Sequence, residues 1–373
     1  MTSRERVIKA VNCEQADRVP IDLGIHFATG ISAFAYCNLR EYLGFSTDSI
    51  EISDYCQMLA RVDDDILRRF HCDCILLNPP WKNTKRWNVR GKYTFNIPVF
   101  MNPVNDDGSW IITDGRNKMR MPSGGFFFDG DWLTQSEYIN DEEKMDAYAK
   151  RAEYLYKETD YYTMLMGYWG FFGGVDYACT MYTDPDEVKS YAEKMLEHYT
   201  NEISAVIKRY GRYIQCIEVN ADMGIQNGPY ISPEMYEAFV LPYFKKFNHF
   251  VHENSDIKIF LHSCGSVMPL IDCFIEAEVD ILNPVQISAD NMNPVDLKEK
   301  FGKKICFWGG GCDTQGVFAN GTAAQVEQHV KQTVDIFKVG GGFVFNQVHN
   351  IMGDIKPENI ISMLDTAYKN SFY

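Results

Sequence analysis

The chain has 373 residues, 46% of them hydrophobic and 14% aromatic, which is enough for one large domain or two ordinary ones with a sizeable core. Its 36 Lys and Arg against 51 Asp and Glu give a formal net charge of −15, which argues against nucleic acid, anionic membranes and a polyanionic substrate unless arginines gather locally. The 11 cysteines are odd in number and follow no repeated spacing, which suits a reducing cytoplasm, and the sequence shows neither an apolar signal region near residue 1 nor the ~20-residue apolar run of a membrane helix.

Residues 3–12 read as a short helix. Asp17-Arg18 leads into a first strand over residues 19–25, followed by a mixed helical region. A helical stretch over 62–70 runs into a second buried strand, Asp73-Cys74-Ile75-Leu76-Leu77-Asn78, which Pro79-Pro80 ends. Residues 81–130 differ in character. Trp81, Trp87, Tyr93, Phe95 and Trp110 alternate with polar residues, and Asp107-Gly108 and Asp114-Gly115 are hairpin signals, so this stretch reads as a β-rich insertion. Residues 141–157 are helical and charged. From there strands over 164–168, 214–220, 257–262, 279–284, 304–309 and 342–346 alternate with helices over 184–209, 267–277, 294–301 and 322–337. Asp184-Pro185 opens the first of these helices, Ser232-Pro233 opens another after the fourth strand, and Pro357 opens the last.

Eight apolar strands alternating with helices predict an α/β fold, a (β/α)₈ TIM barrel in one domain over 1–373, with 81–130 inserted after the second strand. A doubly wound open sheet is the alternative. It needs a phosphate loop, and Gly309-Gly310-Gly311 has neither the spacing nor the helix right behind it.

A barrel gathers its site at the C-terminal ends of its strands. In chain order those ends carry Asp22 and His26; Asn78; Tyr168 and Trp169; Glu218, Asn220 and Asp222; His262 and Cys264; Asn283 and Gln286; Cys312 and Asp313; Gln347 and His349. In Leu261-His262-Ser263-Cys264-Gly265 an imidazole and a thiol two residues apart leave one strand face, and the glycine lets the chain turn away. That is half of a zinc site, although a core histidine beside a buried cysteine has the same pattern. Strand alternation groups Cys216, Glu218, Asn220 and Asp222; Cys306, Trp308, Gly310 and Cys312; and Phe343, Phe345, Gln347 and His349. His349 is then the candidate third ligand, and Cys312 or Glu218 the fourth. The plainer readings are a rim histidine and a small residue in a tight loop. Asn78, Tyr168, Trp169, Phe171, Asn220, Gln286 and Trp308 are candidates to line a substrate. Such aromatics are more often core than ligand wall, but Trp169-Gly170-Phe171-Phe172 reads as a loop able to wall a flat ligand. Asp313-Thr314-Gln315 reads as a helix cap.

The chain resembles the uroporphyrinogen decarboxylase superfamily over nearly its whole length. The marks are Ser3-Arg4-Glu5-Arg6-Val7, Asp17-Arg18-Val19-Pro20, Gln226-Asn227-Gly228-Pro229 with Ser232-Pro233-Glu234-Met235-Tyr236, and His262-Ser263-Cys264-Gly265. Asn283-Pro284-Val285-Gln286, Phe307-Trp308-Gly309-Gly310-Gly311, and Val348-His349-Asn350-Ile351 with Pro357-Glu358-Asn359-Ile360 continue them. The resemblance implies the eight-fold barrel. Decarboxylases of the superfamily carry arginines after the first strand and an aspartate after the second. Here Gly24-Ile25-His26-Phe27-Ala28 holds no arginine and Asn78-Pro79-Pro80 no aspartate. The zinc-dependent, corrinoid-linked methyltransferases share the His-x-Cys element, which maps onto His262 and Cys264. Their third ligand is a cysteine near the end of strand eight, where this chain offers His349.

The methyltransferase resemblance implies zinc as Lewis acid and methyl transfer between a small methylated donor or acceptor and a corrinoid, with Glu218 or Asp222 as proton donor. The aromatic loop favours a methoxylated aromatic. The chain lacks a DxHxxG signature, so the corrinoid would sit on a partner protein. Two rivals stand beside this reading. One is a decarboxylase supplied with cations from the insertion by Arg86, Arg90, Arg116 or Arg120. The other is a barrel that binds a ligand or a corrinoid protein without catalysis. The superfamily allows a homodimer, though no surface in the sequence demands one.

Overall fold

The structure, a computed structural model, describes residues 1–101, 105, 107–113, 116–130 and 141–373. Six parallel strands, Met164–Trp169, Cys216–Asn220, Lys258–His262, Ile281–Asn283, Cys306–Trp308 and Phe343–Val344, pair in chain order into one sheet, so this is an α/β protein. The register is level at the C-terminal ends: His262 lies beside Asn220 on one side and Asn283 on the other.

Helices connect the strands where the sequence places them. Asp184 accepts the Glu187 N–H at the start of helix Pro185–Tyr210, whose buried stripe includes Val188, Ala192, Ile203 and Val206. Ser232 caps Pro233–Phe239, Asn293 caps Pro294–Phe301, and Thr322 with Gln325 forms a capping box before Ala323–Phe337. Asp313 does not cap a helix. Its carboxylate accepts the Gln315 N–H in a turn, and the short helix Val317–Asn320 begins after Gly316.

The first two predicted strands shrink to single parallel bridges, Ile21 with Phe345 and Cys74 with Tyr162. Main-chain bonds from Phe345 N to Pro20 O, Asp73 N to Ile21 O and Ile75 N to Tyr162 O connect these segments to their neighbours. Pro20 donates nothing to a ladder, Gly24 sits at φ +91°, and Pro79-Pro80 stops the second segment. The apolar side chains divide into two clusters. A large one lies between strands and helices. A smaller one holds Ile25, Cys74, Met164, Cys216, Phe260, Ile281, Trp308 and Val344, joined by Val7, Ala10 and Val11 of helix Ser3–Val11.

At that helix the fully buried Asp73 carboxylate binds Arg6 Nη1 at 2.6 Å and Arg18 Nη1 at 2.8 Å, and it also accepts the Ile21 N–H. The Ser-Arg-Glu-Arg and Asp-Arg-Val-Pro sequences therefore do structural work at the N-terminal ends of the strands.

The insertion is β-rich, but it recruits chain from before the second strand. The region read as mixed helical holds helix Ala33–Leu43 and also strands Ile50–Asp54 and Leu59–Ala60. Ile50–Asp54 pairs with Tyr93–Pro98, which pairs with Thr84–Val89. A second small sheet holds Trp110–Thr113, Lys118–Met121 and Asp129–Gly130. Trp87 against Trp110, 3.7 Å between ring centroids, joins the two. Asp107-Gly108 makes a turn that connects no paired strands among the described residues, and Asp114-Gly115 lies outside them. Among the described residues no helix is long and apolar enough to cross a membrane.

Candidate metal centre

The strand Lys258–His262 carries Phe260 into the smaller apolar cluster and, one pleat on, His262 to the strand's end. Asn283 on the neighbouring strand gives its Nδ2–H to the Trp308 carbonyl at 2.9 Å, which leaves its Oδ1 to accept from His262 Nδ1 at 2.8 Å. This fixes the tautomer of His262 and leaves the Nε2 lone pair free. That nitrogen lies 3.5 Å from Cys264 Sγ and 3.8 Å from Asp222 Oδ1.

Cys264 is held on the turn that follows. Its N–H donates to Asp222 Oδ1 at 2.8 Å, and the next N–H, of Gly265, donates to Gln286 Oε1 at 2.8 Å. Gly265 has φ +90°, and a Cβ there would stand 2.3 Å from the Gly224 carbonyl carbon, so only glycine fits.

His349 completes the group, with its ring centroid 6.0 Å from that of His262. The ligand atoms of His262, Cys264 and His349 all lie within 4.8 Å of one another. Zinc bonds of about 2.0–2.3 Å to nitrogen and sulfur in a tetrahedron require donor separations of roughly 3.3–3.8 Å, so the His262–Cys264 spacing already suits the ion. Burial, reinforced by His262 and His26, pushes His349 down to about 4, and burial together with His26 lowers His262. Both imidazoles are therefore neutral at pH 7 and able to ligate. Burial raises the Cys264 thiol, with Asp222 adding to the effect, so metal binding has to release its proton.

The other predicted site residues divide sharply. Asp222 stands at the metal group with a half-exposed side chain. Glu218 does not reach the mouth as an open acid. It is buried, with Oε1 3.1 Å from His26 Nε2 and Oε2 accepting the Gly167 N–H at 3.0 Å. Cys312 lies outside the ligand group. Gly309 and Gly310 take φ +102° and +77° and end the strand alternation, which leaves Cys312 buried in the outer cluster with its thiol raised by burial.

Tyr168 and Phe171 are buried in aromatic packing. The register shifts between Leu165 and Tyr168 and turns Tyr168 outward onto Tyr199 and Phe247, where Phe171 also packs. Trp308 is fully buried, bonded through Nε1 to Asp22 at 3.0 Å and packed on Phe260. Gln286 is spent on Gly265 and Gln226, bracing the turn. Asn220 sits half-buried at its strand end, its carbonyl taking the Gly170 N–H. Asn78 gives its carbonyl to Arg61. Trp169 remains open, 62% exposed.

Two residues noted only as strand ends prove central. Asn283 orients His262. His26 accepts the Ala28 N–H on Nδ1 at 2.9 Å and so presents Nε2–H to Glu218, with its ring 5.3 Å from that of His262. The level strand ends are the signal that could have promoted both.

A family model described as Uroporphyrinogen decarboxylase (URO-D) matches residues 173–370. The uroporphyrinogen decarboxylase of Geobacter sp. (strain M21) is 26% identical over 208 residues, 53% of this chain and 55% of that protein. The one from Geotalea daltonii is 26% identical over 197 residues, 51% of each. The chain thus spans about half the length of the curated relatives it matches. Among solved structures, a methyltransferase from Methanosarcina mazei covers 99% of both chains at a TM-score of 0.59 and 12% identity, a likeness of fold.

Proposed function

The chain belongs to the uroporphyrinogen decarboxylase (URO-D) family, and we propose that within it the protein is a zinc-dependent methyltransferase, moving a methyl group between a small methylated substrate and a corrinoid on a partner protein. The observation that carries this reading is the convergence of His262, Cys264 and His349, with His262 already oriented by Asn283. The fold is read with it as an eight-unit barrel. The two bridges stand where the first and second strands belong, and the smaller apolar cluster draws a residue from each of the eight predicted strands.

Zinc held by these three residues would supply a Lewis acid for a methyl-ether oxygen leaving as the corrinoid takes the methyl group, or would lower the pKa of a thiol acceptor. The chain's own residues do the rest. Asn283 keeps His262 Nε2 unprotonated and aimed. Asp222, tied to the Cys264 N–H and open to solvent on its other side, holds or delivers the proton at the leaving oxygen. Glu218 keeps the His26 ring in place rather than donating. Trp169 gives an exposed aromatic face beside the mouth, which favours a methoxylated aromatic donor.

The decarboxylase reading needs cations at the mouth. Arg90 lies over Phe34 and Phe126 and bonds the Gly125 carbonyl, Arg86 bonds the Asp48 carbonyl, and Arg120 stands 4.0 Å from Asp107. These three arginines make their contacts within or beside the insertion.

The test is methyl transfer from methoxylated aromatics to free cob(I)alamin by zinc-loaded protein. The expected result is turnover that Cys264→Ala reduces by at least about 100-fold. Metal-free or Cys264→Ala protein that transfers methyl groups as fast as the zinc-loaded wild type, or turnover of uroporphyrinogen instead, would contradict the proposal.

A further inference from the structure

Two of the three ligands are aimed by side-chain or turn contacts, but His349 is not. Among the described residues neither of its ring nitrogens makes a hydrogen bond, and its ring stands edge-on to that of His262. A histidine ligand without a partner on its second nitrogen has to be aimed by its backbone.

The backbone is pinned on both sides. Val348 N–H donates to the Cys312 carbonyl at 3.0 Å, and Ile351 N–H to the Gly30 carbonyl at 3.0 Å. Between them Asn350, 4% exposed, accepts the Gly30 N–H on Oδ1 at 2.8 Å and donates from Nδ2 to Gln57 Oε1 at 2.7 Å. Gln57 Nε2 donates in turn to Asp54 Oδ2 at 2.9 Å, and Asp54 is the buried last residue of strand Ile50–Asp54. That strand belongs to the sheet shared with the insertion.

We propose that Gln57 and Asn350 are positioning residues for His349, a clasp by which the turn after strand Ile50–Asp54 sets the third ligand of the metal centre. The inference rests on the zinc reading above. It gives that turn a task in the site without any of its residues touching the metal. The buried Asn350 amide, bonded at both ends, tolerates little displacement, because a broken link leaves an unpaired polar group away from water.

The experiment loads the full chain with Co(II) and follows its thiolate-to-cobalt and d–d absorption, together with zinc release to a chelator. Asn350→Ala and Gln57→Ala are each expected to shift the d–d bands and speed zinc release about 10-fold or more, and the double variant to do no more than either alone. Trp87→Ala, which loosens the insertion at its contact with Trp110, should lower thermal stability and leave the bands where they are. Wild-type bands and zinc release in a loaded Asn350→Ala protein overturn the clasp alone. So does a Trp87→Ala protein whose bands move as far as those of Asn350→Ala. A folded wild type that takes up no Co(II) overturns both the clasp and the zinc reading.

Discussion

A histidine ligates only while the nitrogen facing the metal is unprotonated, and for His262 Asn283 secures this. Replacing that amide by Asn283→Ala should free the tautomer and weaken zinc binding about 10–100-fold, read by chelator competition. Unchanged affinity would contradict the assignment. Asp22 makes a different prediction. Burial pushes its carboxyl up to about 6, against the bonds from Ile25 and Trp308 that favour the charged form. The folded state therefore holds this proton more tightly than the unfolded chain. Its contribution is full below the ordinary carboxylate pKa near 3.8 and is lost as pH rises through about 6. A shift of roughly two units corresponds to about 3 kcal/mol. Relative to wild type, Asp22→Asn should gain about that much stability between pH 4 and 7 in denaturant titrations. A pH-independent difference would show that Asp22 is ionised throughout.

At the scale of elements, several helices were legible because their starts carry their own chemistry: Asp184-Pro185, Ser232-Pro233 and Thr322 with Gln325 satisfy their first N–H groups locally. Strand phase was legible only where nothing interrupts it. His262 follows Phe260 by unbroken alternation, so the His-x-Cys pair could be placed from spacing alone. Tyr168 could not, because the irregularity before it changes its face, nor could Cys312, beyond two glycines at positive φ. His349 was reached by alternation from Phe343 and Phe345, yet both pack in the outer cluster, so the chain after Phe345 brings it round by bends. The roles of Gln57 and Asn350 arise from contacts 293 residues apart, which no local pattern carries. The turn after Cys264 offers a test at this scale. Gly265→Ala should keep the helical far-UV signal and lose bound metal, since a Cβ there meets the Gly224 backbone. Normal metal content would show that the turn can relax.

Across the whole molecule, the ends of the strands divide the labour. Arg6, Arg18 and Asp73 lock the N-terminal side, and removing the shared carboxylate leaves Arg18, 7% exposed, without a carboxylate partner and Arg6 with Asp17 alone. Asp73→Ala should cost about 3–5 kcal/mol in urea unfolding. A loss below about 1 kcal/mol would mean that water takes over the pairing. The C-terminal side carries His262, Cys264 and His349, and the proposed chemistry depends on their holding a metal. The most direct test is the zinc content of protein purified under reducing conditions, for wild type and for His262→Ala, Cys264→Ala and His349→Ala. The account predicts about one zinc per chain in wild type and its loss in each variant. A folded wild type without metal, or variants that keep it, would contradict the three-ligand centre and the methyl-transfer chemistry built on it.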